Sequence, residues 1–381
     1  MKKPKKDFAK EALKQHKALV GKISITPKAR LKKKDDWSTF YTPGVGAVAS
    51  HLAKHPEDMR TMTMKRNSVA VVSDGSAVLG LGNIGPNGAL PVMEGKAVIF
   101  KEVADIDAFP IVLDTKTPEE IIETVVRIAP GFGGINLEDI KAPECFYVEA
   151  ELKKRLSIPV MHDDQHGTAI VVLAGLLNAL KVVKKTRKAQ VTIVGAGAAG
   201  HAVAMLLALD GFTDIRVADR EGIINTRRKN LPTHKRALAK LPSTRSAKTL
   251  AEAVMGSDVL IALSGPGTIT PAMIASMAPR SIVFALANPV PEILPEDARA
   301  AGAAVIATGR SDFPNQVNNA LVFPGIFRGA LDANVSDITD EMKLKAAHAL
   351  AKLIKHPTAT NLIPSVLDPH VAPTIARAVR K

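Results

Sequence analysis

Short apolar runs alternate with longer stretches of helical periodicity along most of this chain. Runs at 68–73 (SVAVVS), 97–100, 108–113, 134–137 and 158–161 predict strands in the first half. Runs at 190–194, 215–218, 259–263, 281–284 and 304–308 predict strands in the second half. Between them, 6–20, 118–129, 143–156, 168–183 and 201–210 carry the helical spacing, with Thr117 placed to cap the second of these. The segment 339–355 predicts a surface helix. Strands that are apolar on both faces and alternate with helices predict an α/β protein with doubly wound parallel sheet. That alternation divides the chain into an N-terminal α/β domain, 1–167, and a C-terminal Rossmann-type domain, 168–381.

Composition supports that division. A chain of 381 residues should form about two domains, and aromatics at 4% leave cores of Ala, Val, Ile and Leu. The single cysteine, Cys145, excludes an intrachain disulfide and a thiolate zinc site, and fits a reducing compartment. No run of ~18 consecutive apolar residues is present, so a membrane helix is not expected. The basic N-terminus is interrupted by Asp7 and Glu11, unlike a targeting presequence. A soluble cytoplasmic protein is expected. The net charge of +14 raises nucleic-acid binding as a reading. The lysines at 2–3, 5–6, 32–34 and 184–185 are dispersed and lack interleaved aromatics, so a solvated surface that attracts anionic substrates is favoured.

Candidate chemistry changes the picture more. Glu138-Asp139 and Asp163-Asp164 each follow an apolar run, and all four carboxylates fall within 27 residues. Buried anions repel one another and lose their water, a cost that a divalent cation removes. Hard oxygen donors suit Mg²⁺ or Mn²⁺. Each pair can converge on one ion only if its strand has already ended. His162 and His166 flank the second pair and are read as supporting groups. Lys96 lies between Gly95 and an apolar run, where burial would lower its pKa toward that of a usable base. Lys101 follows the same run. Tyr41 lies in a tight turn with Pro43 and Gly44, where a buried core tyrosine is the plainest reading.

Gly195-Ala196-Gly197-Ala198-Ala199-Gly200 follows a predicted strand and opens a helix, which is the context a dinucleotide fingerprint requires. Gly195 permits the turn, Gly197 lets backbone approach the pyrophosphate, and Gly200 lets helix and strand pack closely. Asp219, 24 residues after Gly195, would accept from a ribose 2′-hydroxyl and favours NAD, while Arg220 beside it leaves NADP open. Ser264-Gly265-Pro266-Gly267 and Asn288-Pro289 sit at further strand ends.

Taken in order, the segments YTPGV (41–45), VAVVSDGSAVLGLGNIG (69–85), PVMEGKAVIFK (91–101), FGGINLEDI (132–140), PVMHDDQHGTA (159–169), VGAGAAG (194–200), ALANPVPEI (285–293) and FPNQVNNALVFPGIFRGALD (313–332) resemble the malic enzymes in their short bacterial form. The resemblance implies oxidative decarboxylation of L-malate to pyruvate and CO₂ with reduction of NAD(P), by a homo-oligomer that needs neither nucleic acid nor membrane. It implies Tyr41 as the acid that protonates the enol carbon, Lys96 as the base at the C2 hydroxyl, and Asp163 as its helper. Glu138, Asp139 and Asp164 would hold the metal. Gly195, Gly197, Ala198, Ala199, Gly200, Asp219, Arg220 and Asn288 would line the cofactor site, with Asn288, Asn318 and Asn319 toward substrate. Two departures stand out. Ala77 fills the place of an arginine that grips the substrate carboxylate in long forms. No acetyl-transferase-like domain follows Lys381, so regulation through one is not expected. The competing readings are a metal-independent amino-acid-type dehydrogenase, which the acidic pairs disfavour, and a basic nucleic-acid-binding module that has lost catalysis, which Tyr41, Lys96 and those pairs disfavour.

Overall fold

In a computed structural model, which describes residues 7–78, 80–115, 117–243 and 247–380, two parallel sheets organise the chain. The lysines at 2, 3, 5 and 6 lie outside the described residues. The first sheet holds β1 (Ser68–Ser73), β2 (Asp107–Val112), β3 (Gly134–Leu137) and β4 (Val160–His162) in the order β2-β1-β3-β4. The second holds β5 (Val191–Val194), β6 (Ile215–Asp219), β7 (Gly222–Ile223), β8 (Val259–Ala262), β9 (Ile282–Ala285) and β10 (Val305–Thr308), in the order β10-β9-β8-β5-β6-β7. All pairings are parallel except the short β6–β7 hairpin. This is a two-domain α/β fold, and its central strands are apolar runs because helices cover both faces.

The Asp163–Val183 helix joins the sheets. By length and composition it could cross a membrane, but 72% of its apolar window is buried within the protein. One continuous core contains its side chains together with Val69 and Val71 of β1 and Ile193 of β5. Residues 167 and 168 fall inside this helix.

Three expectations need correction. Residues 97–100 are not a strand: they lie in one helix, Gly85–Ala104. Met93, Ala97, Phe100 and Ala104 form its buried face at helical spacing, and a four-residue apolar run cannot by itself distinguish strand from helix. The helix expected from 168 begins at Asp163, so Asp163 and Asp164 occupy its first turn, where carboxylates favour the helix dipole. The helix expected at 339–355 spans Asp340–Lys352, and Ala346, Ala347, Leu350 and Ala351 are buried, so it is amphipathic rather than purely superficial. Two further C-terminal helices, Phe323–Ala333 and Val371–Arg380, pack on each other, and the first also packs on Gly85–Ala104.

The N-terminal arm contrasts with this body. No described residue before Ser68 is buried, although the arm carries Phe8, Trp37, Phe40 and Tyr41. Its first helix, Phe8–Leu19, ends where Val20 turns into the left-handed region.

Candidate active site

Parallel register sets the site. Leu137 of β3 lies opposite His162 of β4, so Glu138-Asp139 and Asp163-Asp164 leave neighbouring strands at the same level. Ligand sites in such sheets form beyond the carboxyl ends of strands. Glu138 still follows the ladder, its N–H donating to Val72 O at 2.9 Å. Asp139 then adopts φ 54°, which turns the chain, and its N–H donates to Asp164 Oδ2 at 2.8 Å. One carboxylate oxygen from each of Glu138, Asp139 and Asp164 comes within 4.8 Å of the others.

Lys96 approaches from the Gly85–Ala104 helix. Its Nζ is 2.9 Å from Glu138 Oε1, forms a short hydrogen bond to Asp163, and lies 4.1 Å from the ring centroid of Phe323. Lys96, Glu138, Asp139 and Asp163 are all buried. Burial alone would lower the Lys96 pKa, but the Asp163 and Glu138 carboxylates outweigh it and hold the ammonium above its ordinary value. The expected depression is therefore reversed: a lysine between two anions behaves as a cation. The anions remain under strain. Burial, against the pull of Lys96, pushes Asp163 up to about 6. Burial and the charges of Asp164, Asp163 and Asp139 drive Glu138 well above the usual carboxylate range. Asp163 Oδ1 is buried and has no hydrogen-bond partner among the described residues. One lysine does not neutralise this group, and three converging carboxylates form a hard-oxygen donor set that fits Mg²⁺ or Mn²⁺.

Supporting residues fix the two strand ends. Glu149, buried on the Glu144–Arg155 helix, accepts from His162 N–H at 3.1 Å and Gln165 Nε2 at 3.1 Å, and meets His166 Nε2 at 2.9 Å. The histidines thus support the acidic pair from beside it: His162 is buried 3.5 Å from Asp164, and His166 pairs with Glu149. Gly167 is constrained too, because a Cβ there would fall 1.8 Å from Asp163 Oδ1. Glu149 and Phe323 escaped the sequence reading. Glu149 lies in the segment 143–156, read only as a helix, and Phe323 arrives from a C-terminal helix, Phe323–Ala333, distant in sequence from the acids.

The asparagines divide. Asn319 borders the site, its Cβ lying 3.1 Å from the position a Gly167 Cβ would take. Asn318 instead caps its own turn, accepting from Ala320 N–H at 2.9 Å. Asn288 lies against the backbone of Gly80, which comes from the first half of the chain. Lys101 pairs with Asp105 and Asp107 on an exposed rim, away from the buried acids. Tyr41 is 64% exposed at the end of a short helix that packs chiefly on the next one, so it is neither a core tyrosine nor a member of the buried cluster.

At the second sheet, β5 is the strand from which the order runs both ways, and the fingerprint leaves its end. Gly195 has φ 108°, and a Cβ there would meet Leu263 O at 2.3 Å. A Cβ on Gly200 would meet Gly195 O at 1.9 Å, so this turn closes only with glycine. Space around Gly197 is open, and the Ala198–Leu209 helix begins immediately after it. Buried Glu292 ties two loops at this edge, accepting from Ser264 N–H at 2.7 Å and Ala287 N–H at 3.0 Å. Asp219 ends β6, and Arg220 beside it is exposed.

The sequence matches the malic enzyme NAD-binding domain over residues 165–381 and the malic enzyme N-terminal domain over residues 20–120. The chain belongs to the malic enzyme family. It is 50% identical to a bifunctional malic/malolactic enzyme of Bacillus subtilis, over 97% of this chain and 92% of that one. It is 51% identical to an NAD-dependent malic enzyme of Geobacillus stearothermophilus, over 94% of this chain and 76% of that one. The crystal structure of an NAD-dependent malic enzyme from Thermotoga maritima is similar at a TM-score of 0.94 and 46% identity, covering 97% of this chain and 98% of that one. The NAD-binding match takes in the second sheet and the glycine turn at its edge.

Proposed function

We propose that this protein catalyses the oxidative decarboxylation of L-malate to pyruvate and CO₂ with reduction of NAD(P). The observation that carries this reading is Lys96 held between Asp163 and Glu138 beside three converging carboxylates. Glu138, Asp139 and Asp164 are the residues to hold Mg²⁺ or Mn²⁺. Such a cation supplies Lewis acidity toward the C2 oxygen and the charge that develops as CO₂ leaves.

The chain's own groups handle the protons. Lys96 is assigned the proton of the C2 hydroxyl, and Asp163 orients Nζ. Because two carboxylates hold Lys96 as an ammonium, it can accept a proton only once that hold is relaxed. A cation held by Glu138 would weaken that hold, and Asp163, hydrogen-bonded to Nζ, is the neighbouring acceptor for a proton that Nζ would release. Tyr41 is assigned protonation of the enol carbon. Asn288 and Asn319 are assigned contacts with substrate and the nicotinamide end, and Asn318 a supporting role through its cap. The cofactor lies along Gly195, Gly197, Ala198, Ala199 and Gly200. The domains are assigned as 1–167 and 168–381.

The exposed arm supports a homo-oligomer. Trp37, Phe40 and Tyr41 are each more than half exposed on a segment without a core of its own, and a second copy would cover them. Light scattering on the purified protein should give a mass above one chain.

The deciding experiment reduces NAD and NADP in parallel with L-malate, with and without Mn²⁺. Malate-dependent reduction that vanishes on chelation and returns with Mn²⁺ is expected. Full turnover after thorough chelation would favour a metal-independent dehydrogenase instead.

A further inference from the structure

An NAD-type fingerprint uses the acid at the end of the second strand to receive the ribose 2′-hydroxyl. In this chain that acid, Asp219, is already engaged on both oxygens. Arg228 grips it as a fork, with Nη1 to Oδ1 at 2.8 Å and Nη2 to Oδ2 at 3.1 Å. Lys235 Nζ reaches Oδ2 at 2.7 Å, and Glu221 N–H donates to Oδ1 at 2.9 Å. All three charged side chains are largely buried, at 9% exposure for Asp219, 16% for Arg228 and 19% for Lys235. The two cations arrive on separate pieces of chain. Arg228 lies in the loop after β7, and Lys235 in the short helix Thr233–Arg236.

A loop staple needs one cation on one carboxylate. Here two converge on it, and Arg220 adds a third positive group next in sequence. The nearest other acid, Glu221, is 78% exposed and meets Arg228 at 2.5 Å. A guanidinium fork suits phosphate as well as carboxylate. A lone aspartate here would repel a 2′-phosphate, which carries close to two negative charges. Arg228 and Lys235 offset Asp219 and Glu221 one for one, and Arg220 leaves the cluster net positive, which lowers that barrier.

We propose that Arg228 and Lys235 form the 2′-subsite of the dinucleotide site and make the protein accept both NAD and NADP: Asp219 takes the 2′-hydroxyl of NAD in place of one of its present donors, and the two cations take the 2′-phosphate of NADP in exchange for the Asp219 carboxylate. Arg220, the residue singled out in the sequence, is then secondary to Arg228. This inference rests on the nicotinamide reading of the site.

The test is equilibrium titration of NADH and NADPH by cofactor fluorescence, with no substrate present, on wild type, Arg228→Gln, Lys235→Gln and Asp219→Asn. Circular dichroism checks that each variant is folded, and Lys235→Gln serves if Arg228→Gln disturbs its loop. Wild type should bind both cofactors. Either cation variant should weaken NADPH by about tenfold or more and NADH by less than about threefold, and Asp219→Asn should shift the preference toward NADPH. NADPH binding to wild type more than about a hundredfold weaker than NADH would overturn the proposal. So would a preference that stays within about threefold of wild type in the folded variants. If folded wild type bound neither cofactor, the nicotinamide reading itself would fall, which the other outcomes leave intact.

Discussion

The carboxyl edges of the two sheets share a parallel topology and carry opposite electrostatics. The four-stranded sheet ends in four acids with one buried lysine among them. The six-stranded sheet ends in a glycine turn and a helix N-terminus, with Asp219 gripped by Arg228 and Lys235. A strand end supplies only position, and the residues just beyond it decide which charge it will host. The acidic edge, with burial driving Glu138 and Asp163 upward, is the one we assign to a cation. The other edge offers N–H groups and cations to phosphates.

Removing the lone lysine of the acidic edge should have the largest effect. Lys96→Ala should lower kcat by about 10²- to 10⁴-fold, the range for loss of a positioned acid–base group, while NADH affinity measured by fluorescence stays near wild type. An unchanged kcat would remove Lys96 from proton transfer. If NADH binding fell in parallel, the two edges would not be independent.

Within the same edge, Asp164→Asn should shift the Mn²⁺ titration to higher concentration by about 10- to 100-fold, read by activity and by the thermal shift that Mn²⁺ induces. A wild-type titration would exclude Asp164 from the donor set. Gly167→Ala should be milder. Its Cβ would fall 1.8 Å from Asp163 Oδ1, so the carboxylate must rotate away from its present place beside Lys96. Because a side-chain terminus can move, the fold should survive while kcat drops by roughly tenfold. A variant with wild-type kcat would show that Asp163 need not hold its present rotamer.

How much of this contrast could be read from the chain depended on local pattern. The acidic pairs were legible because each follows an apolar run, and parallel register then placed them side by side. The glycine turn was legible because Gly195 and Gly200 obey steric demands that no other residue meets. The secondary structure around Lys96 was not, since Ala97 to Phe100 suits a strand as well as a helix. Arg228 and Lys235 were invisible because their loop has no periodicity, and only the fold returns it to the end of β6. The exposure of Tyr41 was not legible, because the plain local reading of a tyrosine in a tight turn is a core residue and the openness of its arm is a tertiary fact.

Glu149 offers the finest probe of the acidic edge, because it shapes that edge without belonging to the donor set. It is buried, accepts from the His162 N–H and the Gln165 amide, and pairs with His166. Burial would raise its pKa, but the charge and hydrogen bond of His166, with the charges of Lys153 and His162, outweigh it and hold the carboxyl at about 2, below its usual 4.5. A depressed acid adds stability that is fully present above its unfolded value and is lost as pH falls through the folded one. Glu149→Gln keeps the shape, removes the charge, and sets an amide donor against groups that are themselves donors. It should cost about 1–2 kcal/mol near neutral pH, measured by urea unfolding, with kcat at saturating Mn²⁺ changed by less than about threefold. The stability gap between wild type and variant should be widest above about pH 5 and should narrow as the pH falls below about 4.5. A gap that widened on acidification would mean that the Glu149 carboxylate is not stabilised in the folded state. The hydrogen bonds holding the His162–His166 turn would then owe nothing to its charge.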